Sequence, residues 1–193
     1  MTKVLLTGFE PFGKASLNPS GEIARRISGE DIVTAILPVA YNSSANTLLG
    51  LIEEHKPDVV IMLGQAEGRT EITPERIAIN LDDARIADNE GVLRTNQEII
   101  ENGPVAYKST LPVVEIVEAL KAKEIPAAIS LSAGAFLCNH IFYIAQHKFE
   151  GTSIRSGFIH VPLMEEQQAE FPGMPTLALN QMVEAVEIIL KTL

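Results

Sequence analysis

The feature that most constrains the fold is an alternation between short, continuously apolar segments and longer segments with helical spacing. Three of the apolar segments carry few polar residues: KVLLTGF (3–9), DVVIMLG (58–64) and SGFIHVP (156–162). Strands that are apolar along their whole length are buried on both faces, as in parallel sheets covered by helices. The alternation therefore predicts an α/β/α sandwich with a mostly parallel, twisted sheet.

The remaining elements fit the same plan. Further strands are predicted at 31–39 and 126–132, with an extended segment at 75–88 and a loop at 89–104. Apolar residues at helical spacing predict five helices, at 20–28, 45–52, 112–120, 136–149 and 179–190. Pro112 is expected at the first helical position of its helix. Because the sequence contains no repeat, linker or low-complexity tract, a single domain over residues 1–193 is expected.

The charge balance limits the partners. Among the 193 residues the formal net charge is −10, which argues against nucleic acid or an anionic membrane as partner, because phosphate neutralisation needs Lys and Arg. The chain has no apolar run long enough to span a bilayer, and its N-terminus lacks the apolar core of a signal peptide. A soluble cytoplasmic protein is expected. Hydrophobic residues make up 46%, enough for a large core or an oligomer interface.

The single cysteine, Cys138, follows the predicted strand 126–132 and opens a predicted helix, in the stretch GAFLCNHIFY. It could be a small buried hydrophobe, a metal ligand or a nucleophile. In open parallel sheets, ligands bind at the carboxyl ends of the strands. The free N–H groups of a helix N-terminus favour negative charge there, so we expect a lowered thiol pKa.

A nucleophilic thiol needs a base, and four histidines are available: His55, His140, His147 and His160. His140 is two residues beyond Cys138 on the same helix, so the two side chains point to opposite sides. His147 and His55 are expected away from the carboxyl edge of the sheet. His160 ends a predicted strand just before Pro162, and therefore projects at the same edge as Cys138. A purely structural His160 remains the alternative.

The acidic segment 71–91 is where a third group that orients the histidine could come from. Glu75 shares a strand face with apolar residues, and a carboxylate in that position needs a partner. The partner could be His160 or, without catalysis, a neighbour such as Arg76. Asp82, Asp83 and Asp88 are expected to be solvated turn residues. Metal binding is a rival for this segment, but neither His-x-x-x-His nor Cys-x-x-Cys spacing occurs.

Taken together, three blocks of the sequence resemble the pyroglutamyl peptidase type I family of cytoplasmic cysteine peptidases over nearly the whole chain. They are VLLTGFEPFGKASLNPS, the segment GQAEGRTEITPERIAINLDDARIADNEG, and SLSAGAFLCNHIFY with the later GFIHVP. The resemblance implies an α/β/α sandwich and metal-free, cofactor-free removal of an N-terminal pyroglutamate from peptides. It implies Cys138 as nucleophile, His160 as base and Glu75 as the orienting carboxylate.

The same resemblance implies a substrate pocket and an assembly. Phe9, Phe12 and Phe136 would line the pocket for the lactam ring. Asn18 and Gln65 would lie near the substrate, and Arg85 near the oxyanion; a homotetramer is expected. The alternative is a non-catalytic protein on the same scaffold that binds blocked N-termini or small acids.

Three features depart from the family pattern. Glu67 stands where a second glycine is common, and Leu137 replaces a more usual valine before the cysteine. The chain also stops soon after the last predicted helix, where many relatives carry a longer tail. These departures concern the pocket and the assembly rather than the chemistry.

Overall fold

A computed structural model describes residues 2–193 and has a five-stranded central sheet in the order β2-β1-β3-β7-β4. The first four strands of that order run parallel, and β4 runs antiparallel to β7. The strands are β1 (Val4–Phe9), β2 (Ile32–Leu37), β3 (Val59–Gln65), β4 (Thr73–Pro74) and β7 (Arg155–Val161). The α/β fold with a mostly parallel sheet is confirmed.

Five helices cover the two faces of the sheet. They are α1 (Pro19–Arg26), α2 (Tyr41–His55), α3 (Val113–Lys121), α4 (Leu137–Phe149) and α5 (Leu179–Lys191). Helices α1, α3 and α5 enclose one apolar core, and α2 and α4 enclose the other. Alternate strand residues feed the two cores: Leu6 and Ile61 face the first, and Leu5 and Met62 face the second. No helix in residues 2–193 is long and apolar enough to cross a membrane.

Small elements connect these layers. Strands β5 (Ile77–Ile79) and β6 (Ala106–Lys108) form an antiparallel pair, and β8 (Leu163–Met164) pairs in parallel with β9 (Thr176–Leu177). A short 3-10 helix spans Glu165–Gln167. Of the extended segment expected at 75–88, only β5 is a regular strand. Pro112 precedes α3 as its N-cap rather than occupying the first helical position.

The strand predicted at 126–132 is interrupted. Segment 126–130 runs parallel to residues 72–76 but makes only two isolated bridges, between Ile72 and Ala127 and between Glu75 and Ser130. The amide N–H groups of Ile72, Ala128, Ser130 and Arg76 all bond across this pair. Pro74, in the middle, has no N–H to continue the alternation, so no regular strand forms.

Candidate active site

Cys138 and His160 meet at the carboxyl edge of the sheet. His160 is the next-to-last residue of β7, and its register partner in β3 is Gly64. Cys138 is the second residue of α4, and its Sγ lies so close to Gly64 that a Cβ added to that glycine would sit 3.0 Å from it. Since His160 is one strand away from Gly64, at a spacing of about 4.8 Å, the thiol that lies over Gly64 is close to the strand that carries the imidazole.

Glu75 holds the imidazole from the other side. His160 Nδ1 lies 2.7 Å from Glu75 Oε1, and both side chains are buried. The same carboxylate oxygen accepts a hydrogen bond of 2.8 Å from Arg69 Nη1. The ion pair of Glu75 is thus made with Arg69 and not with Arg76. The bond to Glu75 fixes the Nδ1 side of the ring and leaves Nε2 for the thiol.

The pKa of the Cys138 thiol differs from the expectation. Burial, together with the negative charge of Glu75, raises the pKa of Cys138 to about 12, although Arg69 and the helix backbone act in the opposite direction. The expected lowering of the thiol pKa by the helix N-terminus is therefore wrong for the unliganded protein. Burial of Cys138 destabilises its thiolate by more than the N–H groups in the first turn of α4 stabilise it.

The pKa values of His160 and Glu75 are also shifted, by burial and by the contact between the two side chains. Burial lowers the pKa of His160 below 6.5, against the opposing effect of its bond to Glu75. Burial raises the pKa of Glu75, but His160 and Arg69 outweigh it, and the net pKa lies below the usual 4.5. At neutral pH the resting site therefore holds a thiol, a neutral imidazole and a carboxylate, so the thiol needs His160 to accept its proton.

The other histidines lie elsewhere. His140 turns away from Cys138 and lies with its Nδ1 2.9 Å from Asp82 Oδ2, which also accepts from Arg94. His147 contacts the Tyr107 hydroxyl, and His55 lies beside Glu54 at the end of α2.

Two of the three aspartates expected in solvent are buried. Asp82 is fully buried in its pair with His140 and Arg94, and Asp88 is 6% exposed. Asp88 Oδ2 accepts from the Tyr41 N–H at the start of α2, where the N-cap residue Ala40 has no polar side chain. Only Asp83 is exposed. The expectation for Asp82 and Asp88 was wrong because charge-rich sequence does not show which residues long-range partners will bury.

A pocket of about 190 Å³ opens directly beside the thiol. Six of the site residues expected from the sequence line it, with three others; the nine are Phe9, Phe12, Asn18, Val39, Gln65, Glu67, Phe136, Leu137 and Cys138. Phe12 and Phe136 stand 5.3 Å apart between ring centroids, and Tyr41 packs edge-on against Phe136 from behind. The aromatic walls make this a site for a small, mostly apolar group.

The polar residues of the pocket are already partly engaged. Asn18 caps α1 by accepting from the Ser20 N–H, and its amide donates to the Glu10 carbonyl. Gln65 Oε1 accepts from Gln167 Nε2 at 2.9 Å. Among the described residues, Gln65 Nε2 has no acceptor, so this amide keeps a free donor.

Arg85 does not line this pocket. It lies with Asp83, Ile86 and Gly134 on an adjoining depression that shares Phe136 with the pocket. The sequence reasoning missed Arg69 and Gln167. Arg69 is six residues before Glu75, and the sequence spacing does not reveal that its guanidinium reaches that carboxylate. Across residues 2–193 no group of three or more His, Cys, Asp or Glu side chains is arranged to hold a metal ion.

Comparisons with known proteins agree with this geometry. A family model described as pyroglutamyl peptidase matches residues 2–193. A pyrrolidone-carboxylate peptidase from Vibrio vulnificus is 48% identical over 100% of this chain and 92% of its own length. One from Bacillus licheniformis is 50% identical over 96% of this chain and 89% of its own.

Solved structures agree as well. The crystal structure of pyroglutamyl peptidase I from Bacillus amyloliquefaciens matches with a TM-score of 0.96 and 43% identity, over 99% of this chain and 94% of that one. A mutant pyrrolidone carboxyl peptidase from Pyrococcus furiosus matches with a TM-score of 0.92 and 40% identity, over 98% and 96%. The resemblance stated from the sequence is confirmed, and the chain belongs to the pyroglutamyl peptidase family.

Proposed function

We propose that this chain removes an N-terminal pyroglutamyl residue from peptides, with Cys138 as nucleophile, His160 as general base and acid, and Glu75 as the carboxylate that orients His160. Family membership makes the chain a cysteine-type hydrolase. The observation that carries the residue roles is the 2.7 Å contact between His160 and the buried Glu75, beside a thiol that opens onto the aromatic pocket.

The reaction follows from the protonation states. Because the resting thiol and imidazole are both neutral, Cys138 transfers its proton to His160 Nε2 as Sγ attacks the pyroglutamyl carbonyl. Glu75 stabilises the imidazolium that forms. His160 then gives the proton to the leaving amine, and water hydrolyses the acyl-enzyme by the same route in reverse. Helix α4 has no side-chain cap, so its first N–H groups can stabilise the oxyanion.

Recognition of the lactam falls to Gln65 more than to Asn18. Asn18 Oδ1 accepts from the Ser20 N–H and Asn18 Nδ2 donates to the Glu10 carbonyl, whereas Gln65 Nε2 can donate to the lactam carbonyl. Gln167 fixes the orientation of Gln65 by occupying its oxygen. Phe9, Phe12 and Phe136 enclose the apolar edge of the ring. Arg85, on the neighbouring depression, stays a prediction for the oxyanion region.

The decisive experiment compares Cys138→Ala with the unchanged chain on a fluorogenic pyroglutamyl amide. The alanine variant should fold normally and lose nearly all turnover, because no other thiol exists in the chain. An alanine variant with near wild-type turnover would exclude the mechanism. A wild-type chain that binds pyroglutamyl peptides without cleaving them would favour the non-catalytic binding protein.

Substrate choice tests the pocket separately from the nucleophile. A prolyl amide has the same ring size but lacks the lactam carbonyl and carries a charged amine, which is costly to bury unpaired. Sites built to hydrogen-bond a group reject analogues without it by about 10⁴ or more. We expect strong hydrolysis of pyroglutamyl amides and almost none of prolyl or glutamyl amides. Similar kcat/KM values on both would show that the pocket is not a lactam site.

A homotetramer and a cytoplasmic location complete the proposal. The assembly is supported by large apolar side chains left exposed on the isolated chain, including Ile86, Leu93, Val105 and Leu131. Light scattering at micromolar protein should give the mass of a tetramer, and a monomer mass would contradict it. Cell fractionation tests the location.

A further inference from the structure

Arg69 is a charged group in contact with the proposed triad to which neither the mechanism nor the family resemblance gives a task. Its side chain is 27% exposed, and the carboxylate that it meets is fully buried. Arg69 Nη1 donates to the same Glu75 oxygen that His160 uses. The guanidinium of Arg69 and the imidazole of His160 thus share one acceptor atom.

The guanidinium also joins two segments of the chain. Besides Glu75, it donates to the Thr73 hydroxyl in β4 and, through Nη2 at 3.2 Å, to the Ser132 carbonyl. Ser132 belongs to the segment that leads into α4 and Cys138. The planar guanidinium presents its donors in a fixed fork that spans the two segments, a geometry that the compact ammonium of lysine lacks.

We infer that Arg69 is a positioning residue of the peptidase: acting through Glu75, it sets how tightly the Cys138–His160 pair holds its protons, and so the pH range of turnover. This inference rests on the proposed function. The positive charge of Arg69 lowers the pKa of both His160 and Cys138. Loss of that charge makes the pair release each proton at a higher pH.

The other charged groups around His160 are few. Strand β3 contributes no titratable side chain over Val59–Gln65, and β4 contributes only Glu75 directly after it. On α4 the groups are Cys138 and, on its far side, His140, which is paired with Asp82. Glu67 lies at the pocket on the thiol side and is exposed. Arg69 is therefore the cation whose removal acts most directly on the pair.

The test is the pH profile of kcat/KM on a pyroglutamyl amide for Arg69→Met, Arg69→Lys and Arg76→Met. In Arg69→Met both the acidic and the alkaline limb should move to higher pH by about half a unit or more, since nearby charges shift pKa values by one unit or more. Arg69→Lys should keep the limbs near their wild-type positions but lose kcat, about tenfold, because the fork to Ser132 and Thr73 is lost.

Arg76→Met is the matched control. It removes an arginine next to Glu75 in sequence whose side chain makes no hydrogen bond or ion pair within residues 2–193, so its limbs should not move. If Arg69→Met does not fold, Arg69→Gln replaces it, because glutamine removes the charge and keeps an amide donor. The positions of the acidic and alkaline limbs in the pH profile of Arg69→Gln then test the inference.

The outcomes separate the two claims. The first case is a folded, uncharged Arg69 variant whose pH profile has unmoved limbs and whose activity still requires Cys138. That result would overturn the role of Arg69 and leave the proposed function standing. Such a variant that merely lost rate at every pH would show Arg69 to be structural. Absence of pyroglutamyl amidase activity in the wild-type chain would overturn the proposed function itself.

Discussion

Gly64 is the residue on which the position of the thiol depends most directly. It lies in β3 between Cys138 Sγ and the Phe158 ring, and a Cβ there would come within 2.6 Å of Phe158 Cζ and 3.0 Å of Cys138 Sγ. Real Cβ atoms do not tolerate the shorter of these distances. The absence of a side chain at this position therefore creates the space that the Cys138 thiol occupies beside the strand that carries His160.

We expect Gly64→Ala to lower kcat/KM on a pyroglutamyl amide by about 10² or more, since displacing a reacting group by about 1 Å can cost that much. Overpacking should also lower the free energy of unfolding by about 1–3 kcal/mol. Steady-state kinetics and urea denaturation measure the two effects.

Gly50→Ala is the control, because Gly50 is exposed in α2 and an added Cβ meets nothing within 4 Å. That variant should keep full activity and gain about 0.5–1 kcal/mol. Wild-type kinetics in Gly64→Ala would show that the thiol has room to move.

Among the helices and strands, α4 does more than carry Cys138. The residue after Cys138, Asn139, is fully buried, and its amide bonds to the backbone of β5 and of Leu81. The next residue, His140, pairs with Asp82. One helical turn thus holds both Cys138 and the segment that continues from Glu75, and hydrogen bonds of the Asn139 and His140 side chains couple the two.

Replacing Asn139 by alanine should lower the free energy of unfolding by about 2 kcal/mol or more, because it leaves the partly buried Ile79 N–H and Leu81 carbonyl without this partner, and each such group costs about 1–3 kcal/mol. Chemical denaturation measures the loss. Asn180→Ala removes an asparagine that bonds only the exposed Arg26 side chain, and it should change stability by less than about 0.5 kcal/mol. Equal effects of the two substitutions would contradict the role of Asn139.

The regular elements were predictable to within a few residues because the strands are continuously apolar and the helices have clear periodicity. The failures share a physical cause. The strand at 126–132 broke because of Pro74, a residue more than fifty positions earlier in the sequence. Likewise, Asp82 and Asp88 are buried by partners on other segments, and Arg69 reaches Glu75 and Ser132 through contacts that sequence spacing does not show. Periodicity reports local burial, whereas these features depend on contacts between distant segments.

For the molecule as a whole, the buried contact between His160 and Glu75 makes the free energy of unfolding depend on pH. The pKa of His160 in the folded chain is below 6.5, its value in the unfolded chain, so the unfolded state takes up the proton first as pH falls. The free energy of unfolding should therefore decrease below about pH 6.5. Glu75, whose folded pKa is below 4.5, adds a second loss at lower pH.

Urea denaturation at a series of pH values from 8 to 5 measures this loss. His160→Gln is the comparison, because it keeps a polar side chain near Glu75 but cannot titrate. Its stability should fall less between pH 7 and pH 5.5 than that of the wild-type chain. Parallel curves for the two proteins would show that another group is responsible.

The position of β7 has a consequence for how activity arises during folding. Strand β4 follows β3 after a short turn, yet the two are separated in the sheet by β7, which the chain supplies about eighty residues later. Closing so long a loop is slow, and pairing of distant strands limits folding rates. If His160 is the base that we propose, a chain that has not yet inserted β7 holds the Cys138 thiol without its base and should not cleave peptides. Recovery of peptidase activity after dilution from denaturant therefore reports a late step of folding, one that the growing chain cannot complete until nearly all of it has been synthesised.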